Sequence, residues 1–471
     1  MTISEPDLTL PAGDALEAAS LAPSAIAAWR ATMQSATADY AGDCRRYSAF
    51  WTRSSDLLAK LPPKPKRNAA EAAAATAIFA AAREHRERFL GTHAEAVYNR
   101  LTRNRTQFVR IEDLVIEAAA AVPGLTPAPE RVADEGDRLQ RDKDGVEIDQ
   151  GIFLAHVLAC ERAGRHLCHA MLLPRPEAAG LLAKLGTDDV LDLGAAVLER
   201  RGKAIVLTAK NPRYLNAEDE TTLDVMEIAA DLAILDSQSE IAVLRGGRID
   251  HPKYGGRRVF GAGINLTRLY HGRIPFVWFM VRDLGFVHKL LRGVARPDTV
   301  PDDVHGHGVE KPWIAAVEQF AIGGACQILL AVDYVLAEAD SFMSLPARKE
   351  GIIPGFANLR MPRFTGDRIA RQAIQYERKL MCDSPEGRLV CDEVASRDGM
   401  EAALDRLIDA LTNAGAVSAV GNRRALRIGE EPFDLFRRYA SAYARDQAYC
   451  CFSPALIANL ERNWNAHNRK L

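Results

Sequence analysis

Hydrophobic and polar positions divide the 471-residue chain into three textures. From about Ala15 to Val122 apolar residues recur at helical spacing, with one break at "LPPKPK". Within that run "RNAAEAAAATAIFAAAREHRERFL" is alanine-rich with its charges towards one end, a strong helix former. Three prolines in "PGLTPAPERV" interrupt the pattern, and helix resumes through "GIFLAHVLACERAGRHLCHAML" before stopping at "LLPRPEA". After "ERRGKA" short β-branched runs take over. "KAIVLTAKNP" reads as a strand and turn, Asp219 to Ser237 as a helix, and "SEIAVLRGG" as a strand. "RRVFGAGINL" reads as strand and loop, "PWIAAVEQF" as a strand, "GACQILLAVD" as a helix, and "YVLAEADSFMS" as a strand pair with a turn. Strands alternating with helices at this spacing predict right-handed crossovers and a mostly parallel sheet. From Gly399 the pattern is again amphipathic helix. Divisions near Glu199 and Arg397 give an all-helical region 1–199, an α/β core 200–397 and a helical extension 398–471.

Composition narrows the classes without choosing a function. With 48% apolar and 26% charged residues the chain has a globular composition, and its length calls for two or three domains. A formal charge of -2 provides no global field for nucleic acid or an anionic membrane. The first twenty residues lack the basic and apolar segments of a signal peptide, and no stretch is apolar enough to predict a membrane span. The eight cysteines form no C-x-x-C pair, so reduced thiols in a cytoplasmic setting are expected. His156, His166 and His169 lie on a helical pattern and read as solvated or hydrogen-bonded side chains rather than metal ligands. "HGHG", from His305 to Gly308, lacks an accompanying carboxylate arrangement and reads as a polar loop. No metal triad and no dinucleotide or flavin fingerprint is present, so no cofactor is expected.

The chemistry concentrates at small-residue turns. In "AIGGACQILLAVD" Gly323, Gly324 and Ala325 stand where an apolar run meets a helix, so a ligand oxygen could approach the backbone closely. "FGAGINL" offers a second such turn. Two turns in one sheet can each aim one N–H at a single oxygen, forming an oxyanion hole in which each donor is worth roughly 3 kcal/mol of barrier. The plainer alternative is that these glycines only permit tight strand–helix packing.

Four stretches taken in order, "NPRYLNAED", "FGAGINL", "KPWIAAVEQFAIGGACQILLAVDYVLA" and "GIIPGFANLRMPRF", resemble the crotonase (enoyl-CoA hydratase/isomerase) superfamily over roughly residues 200–400. The resemblance implies an α/β fold with a spiral ββα core, flanked here by the helical N-terminal domain and the helical C-terminal extension. It also implies an acyl-CoA substrate and a homotrimer or homohexamer. It places a thioester oxygen between the N–H groups of Ile264 and Gly324, with Gly263 bringing the first turn close to the substrate.

The pattern departs from the hydratases at two positions. Gln327 stands where they carry a glutamate, and Ala347 where they carry a second. An amide and a methyl group cannot titrate near neutral pH, so ordinary hydration is not expected. The helical N-terminal region, the stretch "RIDHPKYGGRRVFGAGINLTRLYHGRIPFVWFMVRDLG" and Gln327 are most similar to the arylacetyl-CoA dioxygenases of glycopeptide-antibiotic biosynthesis. Those enzymes oxidise a (3,5-dihydroxyphenyl)acetyl-CoA with O2 to an arylglyoxylate and free CoA, using neither metal nor flavin. The similarity implies that backbone donors stabilise an enolate, which then reduces O2. Under this reading Glu218 and Arg282 hold the ring hydroxyls and Gln327 contacts substrate or peroxide. Lys253, Arg257 and Arg258 are candidates for CoA phosphates, and "IPFVWFMV" is a candidate lining for O2. The rival readings are a CoA-ester isomerase or thioesterase with Glu350 or Glu218 as base, and a non-catalytic acyl-CoA-binding protein.

Overall fold

The computed structural model describes residues 12–33, 35–299 and 308–471, and these fall into two compact units. His305 to His307 of the "HGHG" stretch lie outside the described residues.

One unit takes in the described part of Met1–Leu167 together with Pro275–Val277 and Ala440–Pro454. Its helices include Tyr40–Leu58, Ala69–Leu101, Ile111–Ala121 and Ile148–Ala159. The 33-residue helix starts where the sequence supplies a reciprocal cap. Asn68 accepts from the Glu71 N–H, and the Glu71 carboxylate accepts from the Asn68 N–H. Lys64–Lys66 forms a short 3-10 turn at the expected break. His156 meets the Glu87 carboxylate at 2.6 Å and His166 the Tyr98 hydroxyl at 2.7 Å, so both are hydrogen-bonded, as expected.

The second unit carries the sheets. Its strands are β1 (Val190–Asp192), β2 (Ala196–Arg201), β3 (Ala204–Ala209), β4 (Ile241–Gly246), β5 (Trp313–Val317), β6 (Phe320–Ile322), β7 (Tyr334–Glu338), β8 (Phe342–Ser344), β9 (Leu380–Met381) and β10 (Glu393–Ala395). The larger sheet runs β1-β2-β3-β4-β5-β7-β10, antiparallel through β3 and parallel from β3 to β10. The strand β2 passes through Glu199, where the sequence suggests a boundary. Strands β4 and β5 are buried along their whole length, which explains why they read as continuous apolar runs instead of alternating ones. Helix Met400–Thr412 covers one face of this sheet. Its Met400, Ala403, Leu404, Leu407 and Ile408 recur at helical spacing and pack on Val206, Val243, Ile314 and Leu336.

A small second sheet, β6-β8-β9, corrects two expectations from sequence. "PWIAAVEQF" is not one strand: β5 ends at Val317, Gln319 takes a positive φ of 65°, and β6 enters the other sheet. "YVLAEADSFMS" supplies β7 and β8, but these do not pair with each other; β7 joins the large sheet and β8 the small one. Two steps, β5 to β6 and β7 to β8, thus pass from large sheet to small sheet and then into a helix, the ββα repeat that the sequence resemblance implies. "RRVFGAGINL" contains no regular strand, and its sheet-type pairing is limited to isolated bridges. The helix expected from Asp219 is Leu223–Leu235, and that expected from Gly324 to Asp333 ends at Leu329. His169 meets the Arg296 carbonyl at 3.1 Å.

Candidate active site

Three loops of this second unit converge on the glycines. The loop "NPRYLNAED" leaves β3 and turns through Leu215 and Asn216, both at positive φ, a conformation that asparagine tolerates better than most residues. Asn216 fixes it by donating to the carbonyls of Gly247 and Val259, at 2.9 and 2.8 Å. Asp219 accepts from Asn211 and from Asn265, tying this loop to "FGAGINL". Glu218 and Ile264 then form a parallel bridge, with Glu218 N–H on Gly263 O at 2.7 Å and Asn265 N–H on Glu218 O at 2.8 Å. A second bridge, Gly261 with Ala321, ties "FGAGINL" to β6.

This lacing leaves two donors over. Among the described residues neither the Ile264 N–H nor the Gly324 N–H has a protein acceptor. The two turns touch: a Cβ at Gly263 would lie 2.6 Å from Ile322 O and 3.0 Å from Gly324 N, and Gly263 has φ +79°. The helix behind Gly324 is only six residues long. Any anion held here would therefore depend on direct N–H donation more than on a macrodipole.

The reason for each small residue differs from the simple expectation that all three admit a ligand oxygen. Gly323 has φ 54° and ψ -117°, a backbone state that side chains disfavour. Ala325 faces Gly261, whose own Cβ would come within 3.0 Å of it. At Gly324 a Cβ would point at a pair of charged groups, 2.3 Å from Glu218 Oε2 and 2.9 Å from Arg282 Nη2. Packing and charge, as well as access, select these residues.

Those groups form the electrostatic centre of the site. Arg282 Nε and Nη2 donate to the two Glu218 carboxylate oxygens, both at 2.9 Å. Its Nη1 donates to Asp283 at 2.6 Å and to Gln327 Oε1 at 2.8 Å, and Nη2 also reaches Gly324 O at 2.8 Å. Burial opposes the guanidinium charge, but Glu218 and Asp283 outweigh it and raise the Arg282 pKa. Arg282 opens a π-helical turn, Arg282–Phe286, whose extra residue turns both Arg282 and Asp283 inwards. Because guanidinium offers only donors, Gln327 must present its oxygen to Arg282, and its amide N–H groups face the other way. Four candidates from the sequence, Glu218, Arg282, Gln327 and Gly324, thus meet in one network. Asp283, which completes it, had no distinguishing signal in the sequence.

Two cavities flank the Ala217–Glu218 stretch, with Ala217 lining both. One is small, about 40 Å³, and is walled by Glu218, Gly261 and Ala325 with Met226, Leu244, Phe260, Phe286 and Ile328. The other, a cleft of about 370 Å³, is lined by Ile264, Ile322, Pro346 and Glu350, and carries Arg213, His251 and Arg469. Arg258 lines neither; it donates to Gly246 O at 3.3 Å. Arg257 pairs with Glu338, and Lys253 lies over the Tyr254 ring. Cations thus reach the cleft from Arg213 and Arg469 instead, positions the sequence did not single out. Ile274, Phe276 and Trp278 to Val281 are buried, and none lines either cavity. Among the described residues no cluster of three or more His, Cys, Asp or Glu side chains is arranged to hold a metal ion.

Comparison with known proteins accords with this geometry. The enoyl-CoA hydratase/isomerase family model matches residues 305–427. A (3,5-dihydroxyphenyl)acetyl-CoA 1,2-dioxygenase from Amycolatopsis orientalis is 44% identical over 419 residues, covering 89% of this chain and 95% of that protein. The chain belongs to this dioxygenase family of the crotonase superfamily. A short-chain-enoyl-CoA hydratase from Clostridium acetobutylicum is 28% identical over 41% of this chain and 66% of that protein. An enoyl-CoA hydratase/isomerase structure from Xanthobacter autotrophicus Py2 covers 59% of this chain and 96% of its own, at 21% identity and TM-score 0.48. At the two positions where the sequence resemblance expects hydratase glutamates, the Gln327 oxygen is taken up by Arg282 and Ala347 is buried.

Proposed function

We propose that this enzyme converts (3,5-dihydroxyphenyl)acetyl-CoA and O2 to 3,5-dihydroxyphenylglyoxylate and CoA, without metal or organic cofactor. The observation that carries the reading is the near-full-length kinship to a dioxygenase of that name. In this reading the thioester lies in the cleft with its oxygen on the Ile264 and Gly324 N–H groups, and Arg213 and Arg469 face the CoA phosphates. The ring hydroxyls meet the Glu218–Arg282–Gln327 network.

Loss of a Cα proton gives an enolate stabilised by the two N–H donors and by the ring. One electron passes to O2, and the resulting radicals combine as a Cα peroxide. Its distal oxygen attacks the thioester carbon and expels CoA thiolate. Cleavage of the O–O bond with loss of the second Cα proton leaves the arylglyoxylate. Both oxygen atoms enter the product, one as ketone and one in the carboxylate; one proton ends on CoA and one in solvent. The same chemistry requires no external reductant. A cytoplasmic homotrimer or homohexamer completes the proposal.

Turnover under 18O2 tests it. The expected product carries two labelled oxygens and appears in step with free CoA. Unlabelled arylacetate would identify a thioesterase instead.

A further inference from the structure

Formation of the enolate needs a proton acceptor at Cα, and the groups nearest the oxyanion donors are poorly suited. Glu218 is held by two bonds from Arg282, Asp283 by a third, and Gln327 and Ala347 have no basic group. The cleft beside Ile264 has one carboxyl group in its wall, Glu350. It closes the short helix Ala347–Glu350 three residues after Ala347, so the two positions share a helix face. By the sequence resemblance Ala347 stands where hydratases carry a glutamate, and Glu350, one turn later, brings a carboxyl to the cleft wall. Glu350 is 7% exposed and has no ion-pair or hydrogen-bond partner for its carboxyl among the described residues. An unpaired buried carboxyl on the wall of a substrate cleft is costly to keep unless it has work to do there.

We infer that Glu350 is the base that removes the Cα proton of the arylacetyl thioester. The inference rests on the functional reading given above. The C–H bond breaks with its electron pair left on carbon as the enolate, the proton moves to the Glu350 carboxylate, and it is later passed to the departing CoA thiolate.

The electrical surroundings suit that task. Burial, and then the Glu377 carboxylate, push the Glu350 carboxyl up to about 7, with Lys349 opposing them. Lys349 also pairs with Glu377 at 3.6 Å, and Arg213, Tyr214, His251 and Arg469 share the cleft wall.

The test separates proton removal from oxygenation. Exchange of the Cα hydrogens of (3,5-dihydroxyphenyl)acetyl-CoA with deuterated water is followed without O2, and oxygen uptake is followed separately. Parent enzyme is expected to exchange, with a rate that rises with pH through about 7. Glu350→Gln should lose at least ~100-fold in exchange, the scale of a lost general base. Glu350→Asp should recover part of that loss, with KM within a few-fold of the parent. Glu377→Gln, outside the cleft, should shift the inflection to lower pH by removing a like charge. Parent-like exchange in Glu350→Gln, or a Glu377→Gln profile that does not move, would overturn the inference. If the parent exchanges through Glu350 but consumes no oxygen, the base assignment stands and the dioxygenase reading falls.

Discussion

Gly324→Ala is the substitution most directly calculable from the site. The added methyl would lie 2.3 Å from Glu218 Oε2 and 2.9 Å from Arg282 Nη2, and neither atom is a loose end. Oε2 accepts from Nη2 at 2.9 Å, and Nη2 also donates to Gly324 O. The pair must separate or the turn must shift. Breaking a buried ion pair costs roughly 3–5 kcal/mol, and the lower end applies because the Glu218 side chain keeps 16% of its surface. We therefore expect a loss of about 3 kcal/mol by urea unfolding, and at least a ~100-fold fall in oxygen uptake if the Gly324 N–H moves off its target. Gly323→Ala provides the contrast. Its methyl finds only Gly263 Cα at 3.8 Å, so its cost is backbone strain alone, about 1–3 kcal/mol. The two costs differ in origin, and a double-mutant cycle separates them. With Glu218→Ala as background, the Gly324→Ala penalty should shrink by about 2 kcal/mol, whereas that of Gly323→Ala should not change. Additivity of Gly324→Ala with Glu218→Ala within ~0.5 kcal/mol would instead mean that the methyl and the carboxylate never meet.

Other expectations follow from the same network. Glu218→Gln should slow the dihydroxyphenylacetyl thioester far more than the unsubstituted phenylacetyl thioester in parallel kcat/KM measurements; equal rates for both in parent and variant would remove Glu218 from ring recognition. Restoring glutamate at both Gln327 and Ala347 should depress oxygen uptake, since the first carboxylate would compete for Arg282; hydratase activity on an enoyl-CoA is the second readout. Exhaustive chelation should leave turnover unchanged, and loss restored by one specific metal would contradict a metal-free mechanism. Stability should also respond to pH through Glu350. Its folded pKa lies above the unfolded value, so its contribution is complete below about pH 4.5 and is lost as pH rises through about 7. Glu350→Gln should flatten that decline in urea midpoints measured from pH 5 to 8.

The sequence was most legible where a local pattern settled the outcome. The β-branched runs of β3, β4 and β5 and the alanine-rich helix Ala69–Leu101 follow from nearest neighbours in the chain. It was least legible where long-range pairing decides. Nothing local says that Phe342 joins Phe320 instead of folding back on Tyr334, because that choice depends on which sheet has a free edge. The site shows the same division. Glu218, Gln327 and Gly324 lie in or beside motif loops, so their positions could be inferred. That the guanidinium of Arg282 binds all three residues depends on a π turn that no periodicity announces. Glu350 enters from the sequence only as a base for the rival isomerase or thioesterase, and its burial on the cleft wall is set by the fold, while Arg469 reaches the cleft from the far end of the chain.

In the proposed reaction, enolate formation at this backbone site is coupled to reduction of O2. An oxygen electrode trace with metal-free protein and (3,5-dihydroxyphenyl)acetyl-CoA, with free thiol counted in the same cuvette, measures that coupling. One O2 should be consumed for each CoA released, with no thiol release under argon. Release of CoA at an undiminished rate without oxygen would contradict it.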